Sequence, residues 1–146
     1  MKAKTGGGLR MDEAPETGVS TGVDLVSISR IEGLVRRWGA RFLKRVYTDG
    51  EIAYCQSQAL PARSLAARFA AKEAFFKAVS PWHRGGLAHR SVEVVTLSGG
   101  APAIRPSGKA TLALAGRLAS LSLSHERDLA IAVVVTSAPV VRRRRS

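Results

Sequence analysis

Residues 68–77, Arg-Phe-Ala-Ala-Lys-Glu-Ala-Phe-Phe-Lys, bring Lys72, Glu73 and Lys77 within a short stretch of expected helix. At roughly 100° per residue, Phe69 and Phe76 fall within about 20° of each other and Glu73 some 40° from Phe69. A carboxylate is thus expected in an apolar stripe, where desolvation is costly unless a cation or donor satisfies it. Lys77, at i+4, is one candidate partner, and an ordinary helical pair of that kind contributes about 0.2–0.5 kcal/mol. Asp24 is the second displaced acid, since aspartate is depleted in strands and Val19–Ser27 otherwise reads as one. If the two acids meet, they repel unless a divalent cation lies between them. An oxygen site with few protein ligands suits Mg²⁺, whose shell is completed by water and substrate phosphates. On spacing alone, the competing reading is two unrelated acids, each paired with an arginine.

Leu121-Ser122-Leu123-Ser124-His125-Glu126 places two hydroxyls on one face of a strand, with His125 starting the turn that follows. No G-x-S-x-G nucleophile motif accompanies them. A G-x-x-x-x-G-K-[ST] phosphate loop is also missing, which excludes ordinary P-loop chemistry. Arg30, Arg37, Arg41, Lys44 and Arg45 cluster on one helix face. Such a face is either simply solvated or a dock for an acidic helix of a partner. Trp82 and His83, beside Arg84, either stack on a ligand or cover core, and covering core is the favoured reading.

The chain has 146 residues and a formal net charge of +12, of which +8 remains without the four tail arginines. Such a balance calls for an anionic partner: nucleic acid, a phosphorylated ligand, an acidic protein or an anionic membrane. A length of this order suits one domain with a real core. Cys55 is the lone cysteine, so no internal disulfide can form and a reducing cytoplasm is the simplest expectation. With only three histidines beside it, a structural zinc site is not expected. Neither a secretory signal nor a bilayer-spanning apolar run is legible.

Residues 1–17 read as a disordered extension or a cloning remnant, 18–138 as the folded domain, and 139–146 as a basic tail. After the first strand, an apolar stripe of Ile31, Leu34, Val35, Trp38 and Phe42 marks a helix over 29–45, which Gly33 and Gly39 weaken or break in two. Thr48-Asp49-Gly50-Glu51 fits a capping box opening a short helix toward Ala59. Pro61 suits the first turn of a long helix ending near Ser80-Pro81. A strand over 91–97, a turn at 98–102 and a short strand over 103–105 follow. A helix over 107–119 is expected to bury Thr111, Leu112, Leu114, Ala115 and Leu118. Strands over 119–124 and 129–136 close the chain as a hairpin around residues 125–128. Helices mixed with a mostly antiparallel sheet make this an α+β chain.

In this order, the segments resemble the holo-[acyl-carrier-protein] synthase family, the small single-domain 4′-phosphopantetheinyl transferases. The resemblance is carried by Gly22-Val23-Asp24-Leu25-Val26, Arg30-Ile31, Phe42, Tyr47-Thr48 and Glu51. It continues through Leu65-Ala66-Ala67-Arg68-Phe69-Ala70-Ala71-Lys72-Glu73-Ala74, Lys77-Ala78 and Val92-Glu93-Val94-Val95. It ends with Gly100-Ala101-Pro102 and Ser122-Leu123-Ser124-His125-Glu126. Coverage runs from about residue 19 to 136.

The resemblance implies a 4′-phosphopantetheinyl transferase-like fold and Mg²⁺-dependent transfer of 4′-phosphopantetheine from coenzyme A to a serine of an acyl carrier protein, releasing 3′,5′-ADP. Asp24 and Glu73 would hold Mg²⁺, and Lys77 would bind phosphate and stabilise developing charge. Glu73, or a water beside Asp24, would help deprotonate the serine. Arg68, His125 and the Gly100-Ala101-Pro102 turn would border the adenosine and its 3′-phosphate. Arg30, Arg37 and Arg41 would face the acidic recognition helix of the carrier protein. Active sites would lie between subunits of a homotrimer. The family's glycine-rich turn after Lys77-Ala78 is replaced here by Val79-Ser80-Pro81-Trp82-His83-Arg84-Gly85-Gly86. A basic nucleic-acid-binding module would explain the charge but not the two displaced acids, and the chain lacks interleaved aromatics. A non-catalytic scaffold of the same fold would not need every matched chemical position.

Overall fold

The computed structural model describes residues 18–139, so the 1–17 extension and residues 140–146 of the basic tail lie outside the described residues. Strand β1 (Val19–Ser27) forms as expected, with Ser20, Gly22 and Val26 buried, Asp24 half-buried, and Val19, Thr21, Val23 and Leu25 exposed. It pairs antiparallel with the last strand, β5 (Leu129–Ser137), in a register that sets Gly22 opposite Val134 and Asp24 opposite Ala132. Strand β4 (Leu118–Glu126) pairs with the other side of β5, giving a three-stranded antiparallel sheet of order β1-β5-β4. Strands β2 (Val92–Thr96) and β3 (Pro102–Pro106) form a separate antiparallel hairpin.

Helix α4 (Pro61–Val79) lies across the inner face of β1 and β5. Pro61 starts it, where a missing N–H costs nothing. Ala66, Ala70, Ala71, Ala74 and Ala78 are all fully buried, and their small side chains let the sheet come close. Gly22 marks the closest approach: a Cβ there would stand 1.9 Å from the Ala74 carbonyl oxygen. Only glycine fits.

Helix α1 (Ile28–Trp38) is capped by the Ser27 side chain, and α2 (Ala40–Val46) follows after Gly39. The helix expected over 29–45 therefore breaks at Gly39, whose φ of 52° favours glycine, while Gly33 sits unbroken inside α1. The break turns Trp38 outward: it is 46% exposed, not part of the core stripe, and Arg37 and Arg41 lie over its ring. Helix α3 (Asp49–Gln56) opens on the expected capping box, with Thr48 and Glu51 each bonded to the other's backbone N–H.

Helix α5 is shorter than expected, Lys109–Leu114, because Ala115 turns left-handed at φ 53° and Gly116 follows at φ 71°. It buries Ala110 and Ala113, whereas Thr111, Leu112, Ala115 and Leu118 are exposed and Leu114 is half-buried. The closing hairpin is tighter than the expected loop. His125 and Glu126 still belong to β4, and only Arg127 and Asp128 make the turn. Asp128 accepts from both the Ser27 and Ser29 hydroxyls and from the Ser29 N–H, tying the turn to the start of α1.

Candidate functional site

Beneath the site is a buried hub. Lys72, with no exposed surface, donates to Glu51 Oε1 at 2.7 Å, to the His89 carbonyl at 3.0 Å and to the Val92 carbonyl at 2.5 Å. Burial pushes the ammonium below the usual lysine range, and the Glu51 carboxylate opposes that shift. Three acceptors exhaust the three N–H donors of a lysine. The His89–Ser91 turn that precedes β2 is thereby fastened to the middle of α4. Nearby, burial pushes the Tyr47 hydroxyl up, and its O–H donates to the Leu65 carbonyl at 2.9 Å.

Above the hub, β1 and α4 bring the candidate catalytic side chains together. Lys77 Nζ reaches across to Asp24 Oδ1 at 3.1 Å and the Val23 carbonyl at 2.8 Å. Glu73 lies one helical turn before Lys77, but Lys77 is not its partner. Its Oε1 lies 2.6 Å from His89 Nε2, and the His89 ring packs between Phe69, stacked at 5.4 Å, and Phe76, edge-on at 5.1 Å. The face expected to carry Glu73 as a buried acid is half-exposed: the Glu73 side chain is 33% accessible and that of Asp24 18%. The reason is that α4 buries residues nearly all round, Leu65, Lys72 and Val79 on one side and Ala70, Ala74 and Ala78 on the opposite one, so its apolar pattern does not single out Phe69 and Phe76 as the inner face. His89 was missed because its contact spans sixteen residues and an intervening loop. Its one sequence signal is an aromatic on each side of Glu73, at 69 and 76, which leaves a slot for a flat ring.

The donor set suits a hard cation. One oxygen of each carboxylate is engaged, Oδ1 by Lys77 and Oε1 by His89, which leaves the second oxygen of each for another ligand. Among the described residues no cluster of three or more His, Cys, Asp or Glu side chains forms. Two carboxylates are what a Mg²⁺ completed by water and phosphates asks of a protein.

The remaining candidates are spread around the molecule. A 280 Å³ cleft beside Glu73 is lined by Phe76, Ser80, His83, Gly85, Leu87 and His89, from the end of α4 and the loop after it. Trp82 in that loop is half-buried under the Arg117 guanidinium, 3.9 Å from its ring centre. Arg68 stacks on Tyr54 at 4.2 Å and lines a 360 Å³ cleft with Glu93 and Arg105. His125 lines a different one, with Arg63 and Arg127. The Gly100-Ala101-Pro102 turn joins β2 to β3. Within one chain, Arg68 and His125 line different clefts. Arg30, Arg37 and Arg41 are exposed on α1 and α2, and Arg41 borders a groove floored by Leu34, Trp38 and Phe42.

The family model described as the 4′-phosphopantetheinyl transferase superfamily matches residues 20–134. The holo-[acyl-carrier-protein] synthase of Koribacter versatilis is 45% identical over 120 residues, covering 80% of this chain and 96% of that one. The chain belongs to the holo-[acyl-carrier-protein] synthase family. Within the family, the protein of the same name from Gloeobacter violaceus is 48% identical over 117 residues, 77% of this chain and 88% of its own. The crystal structure of Helicobacter pylori holo-[acyl-carrier-protein] synthase in complex with coenzyme A superposes with a TM-score of 0.71 at 35% identity, covering 80% of this chain and 99% of that one. The α+β fold and the antiparallel sheets agree with that membership. Among the described residues no helix is long and apolar enough to cross a membrane.

Proposed function

We propose that this chain transfers 4′-phosphopantetheine from coenzyme A to a serine of an acidic acyl carrier protein, giving holo carrier protein and 3′,5′-ADP. The observation that carries the reading is the crossing of β1 and α4, where Asp24 and Lys77 meet at 3.1 Å with Glu73 one turn away. The serine oxygen bonds to the phosphorus that bears pantetheine. The diphosphate bond breaks, its electrons leave with 3′,5′-ADP, and the serine proton passes to a base. Such chemistry asks mainly for positioning and charge neutralisation.

Asp24 and Glu73 are the residues that would hold Mg²⁺, which when bound neutralises charge on the diphosphate. Lys77, held between Asp24 and the Val23 carbonyl, presents its remaining N–H to a phosphate oxygen. Glu73 lines the cleft at the end of α4 and takes the serine proton, directly or through a water beside Asp24. Arg30, Arg37 and Arg41 steer and seat the acidic carrier.

Arg68, His125 and the Gly100-Ala101-Pro102 turn border the nucleotide in this reading, and the placing of Arg68 and His125 in different clefts of one chain is resolved if neighbouring copies share a site. A homotrimer belongs to the proposal for the same reason. The outer sheet face presents Val23, Leu25, Leu129, Val133 and Val135 to solvent, with Val23 and Val133 paired across strands. Apolar side chains gathered on one face mark an interaction surface. The buried lone cysteine fits a reducing cytoplasm.

The deciding experiment incubates apo carrier protein with this chain, coenzyme A and Mg²⁺ and follows intact mass. A gain of one 4′-phosphopantetheine group, abolished by EDTA and by Glu73→Gln, is expected. No gain with several unrelated carriers, beside tight, salt-sensitive DNA or RNA binding, would replace this reading with a nucleic-acid module. Light scattering at three chain masses tests the assembly, and a monomer at assay concentration would remove the shared site.

A further inference from the structure

The geometry points to His89 as a positioning residue for the transfer: its imidazole holds one oxygen of Glu73 and so sets which oxygen faces the phosphates. The inference rests on the transferase reading above and deepens it. A carboxylate accepts only, so the 2.6 Å contact puts a proton on Nε2, with His89 donating to Glu73 Oε1. The ring itself has little freedom. Phe69, four residues before Glu73, stacks on it with planes 21° apart, and Phe76, three residues after, meets it edge-on at 75°. The backbone of His89 is held as well, through its carbonyl, by Lys72, which is in turn fixed by Glu51. Glu51 closes the capping box of α3. An unbroken series of contacts therefore runs from the start of α3 to a single oxygen of Glu73.

What this arrangement prevents is as informative as what it holds. Glu73 and Lys77 are four residues apart on one helix face, the spacing at which a glutamate and a lysine ordinarily pair. Here they do not: Lys77 bonds Asp24 and the Val23 carbonyl, and Glu73 bonds His89. With His89 absent, Glu73 is free to swing toward Lys77. That would occupy both the carboxylate and the ammonium in each other and draw Lys77 from Asp24. His89 keeps the three groups apart and each available.

A residue that holds a metal-binding carboxylate typically changes metal affinity by about 10- to 100-fold when lost. The test compares His89→Phe, which keeps a flat ring between Phe69 and Phe76 but loses the donor, with His89→Gln, which keeps a donor. Mn²⁺ binding in the presence of coenzyme A is followed by electron paramagnetic resonance, alongside kcat, KM for the carrier and thermal unfolding. His89→Phe is expected to melt near the parent temperature, bind Mn²⁺ about tenfold more weakly and lose kcat. Its KM for carrier should stay unchanged, because the docking arginines are on α1 and α2. His89→Gln is expected to recover most of both losses. Parent-like Mn²⁺ binding and kcat in His89→Phe would overturn the proposal, as would equal losses in the two variants, which would trace the effect to ring packing. Glu73→Gln separates the two levels. If it transfers as the parent does, the role of Glu73 in the transferase reading fails. If it is inactive while His89→Phe is unaffected, only the positioning role fails.

Discussion

Gly22→Ala is expected to damage the site from behind. The new Cβ would lie 1.9 Å from the Ala74 carbonyl oxygen, 2.9 Å from the Ala74 carbonyl carbon and 2.8 Å from the Ala78 nitrogen. All three are backbone atoms of the 19-residue helix, so no rotamer change relieves the clash. Bringing the shortest contact just to 3.0 Å requires strand and helix to part by roughly 1 Å, a gap that forfeits about half the attraction of each atom pair across it. The pairs involved are among the most buried in the molecule: Val26, Ala132 and Val134 on the sheet, Ala70, Ala74 and Ala78 on the helix. Overpacking costs about 1–3 kcal/mol, and an unyielding backbone neighbour places this case at the upper end. For a domain of this size that lowers the melting temperature by roughly 10 °C. The same parting draws Lys77 from Asp24, so transfer should fall further than stability alone explains. Thermal unfolding by circular dichroism, beside the intact-mass transfer assay at a temperature where both proteins are folded, reads the two effects. Gly33→Ala is the control, because nothing lies within 4 Å of its Cβ position. It sits inside α1 and is expected to raise stability by about 0.4–1 kcal/mol. A Gly22→Ala protein that melts within about 2 °C of the parent would refute the close-approach argument.

Other outcomes follow from the same contacts. Lys72→Met leaves Glu51 buried without its cation and is expected to cost about 3–5 kcal/mol by urea unfolding, with Lys72→Met/Glu51→Gln recovering part of it. Burial pushes the Cys55 thiol up to about 11, so at pH 8 a thiol reagent should modify it only at the rate of unfolding; rapid native-state reaction would contradict its burial. The Ser29 and Ser27 hydroxyls and the Ser29 N–H hold Asp128 below the usual carboxylate range. A depressed folded pKa contributes stability above the unfolded value of about 4, lost as pH falls through the lower folded value. Asp128→Asn should therefore be less stable than the parent at pH 7, and a urea-midpoint difference that fails to shrink by pH 3 would argue against those bonds.

Local rules made much of this fold legible. Strand-favouring residues located β1, a four-residue capping signature opened α3, and a single proline started α4. Each depends on neighbours a few residues away. What escaped depends on distance. Strand β1 pairs with the last strand of the chain, which no local pattern records. Helix α4 is wrapped on nearly every side, so apolar spacing could not tell its sheet-facing alanines from the half-open face of Phe69, Glu73 and Phe76. Helix α5 stops at an alanine in a left-handed conformation, where propensity would have carried it on. At the site, Asp24 and Lys77 were visible as residues and their meeting is now visible as geometry. The Glu73–His89 contact was not readable, because it needs the loop between them folded first.

The Lys72 hub has a consequence for how this chain can change. It grips the region after α4 through two carbonyl oxygens, groups that every amino acid supplies. Residues 80–88 can therefore be rewritten without asking anything of the lysine, while the far end of that loop stays pinned at His89 and Val92. Surface loops tolerate variation best where rigid elements fix their ends. In this chain the lysine makes the loop beside the cleft a replaceable part, open to substitution where a ligand would be felt and closed to it where the fold would be.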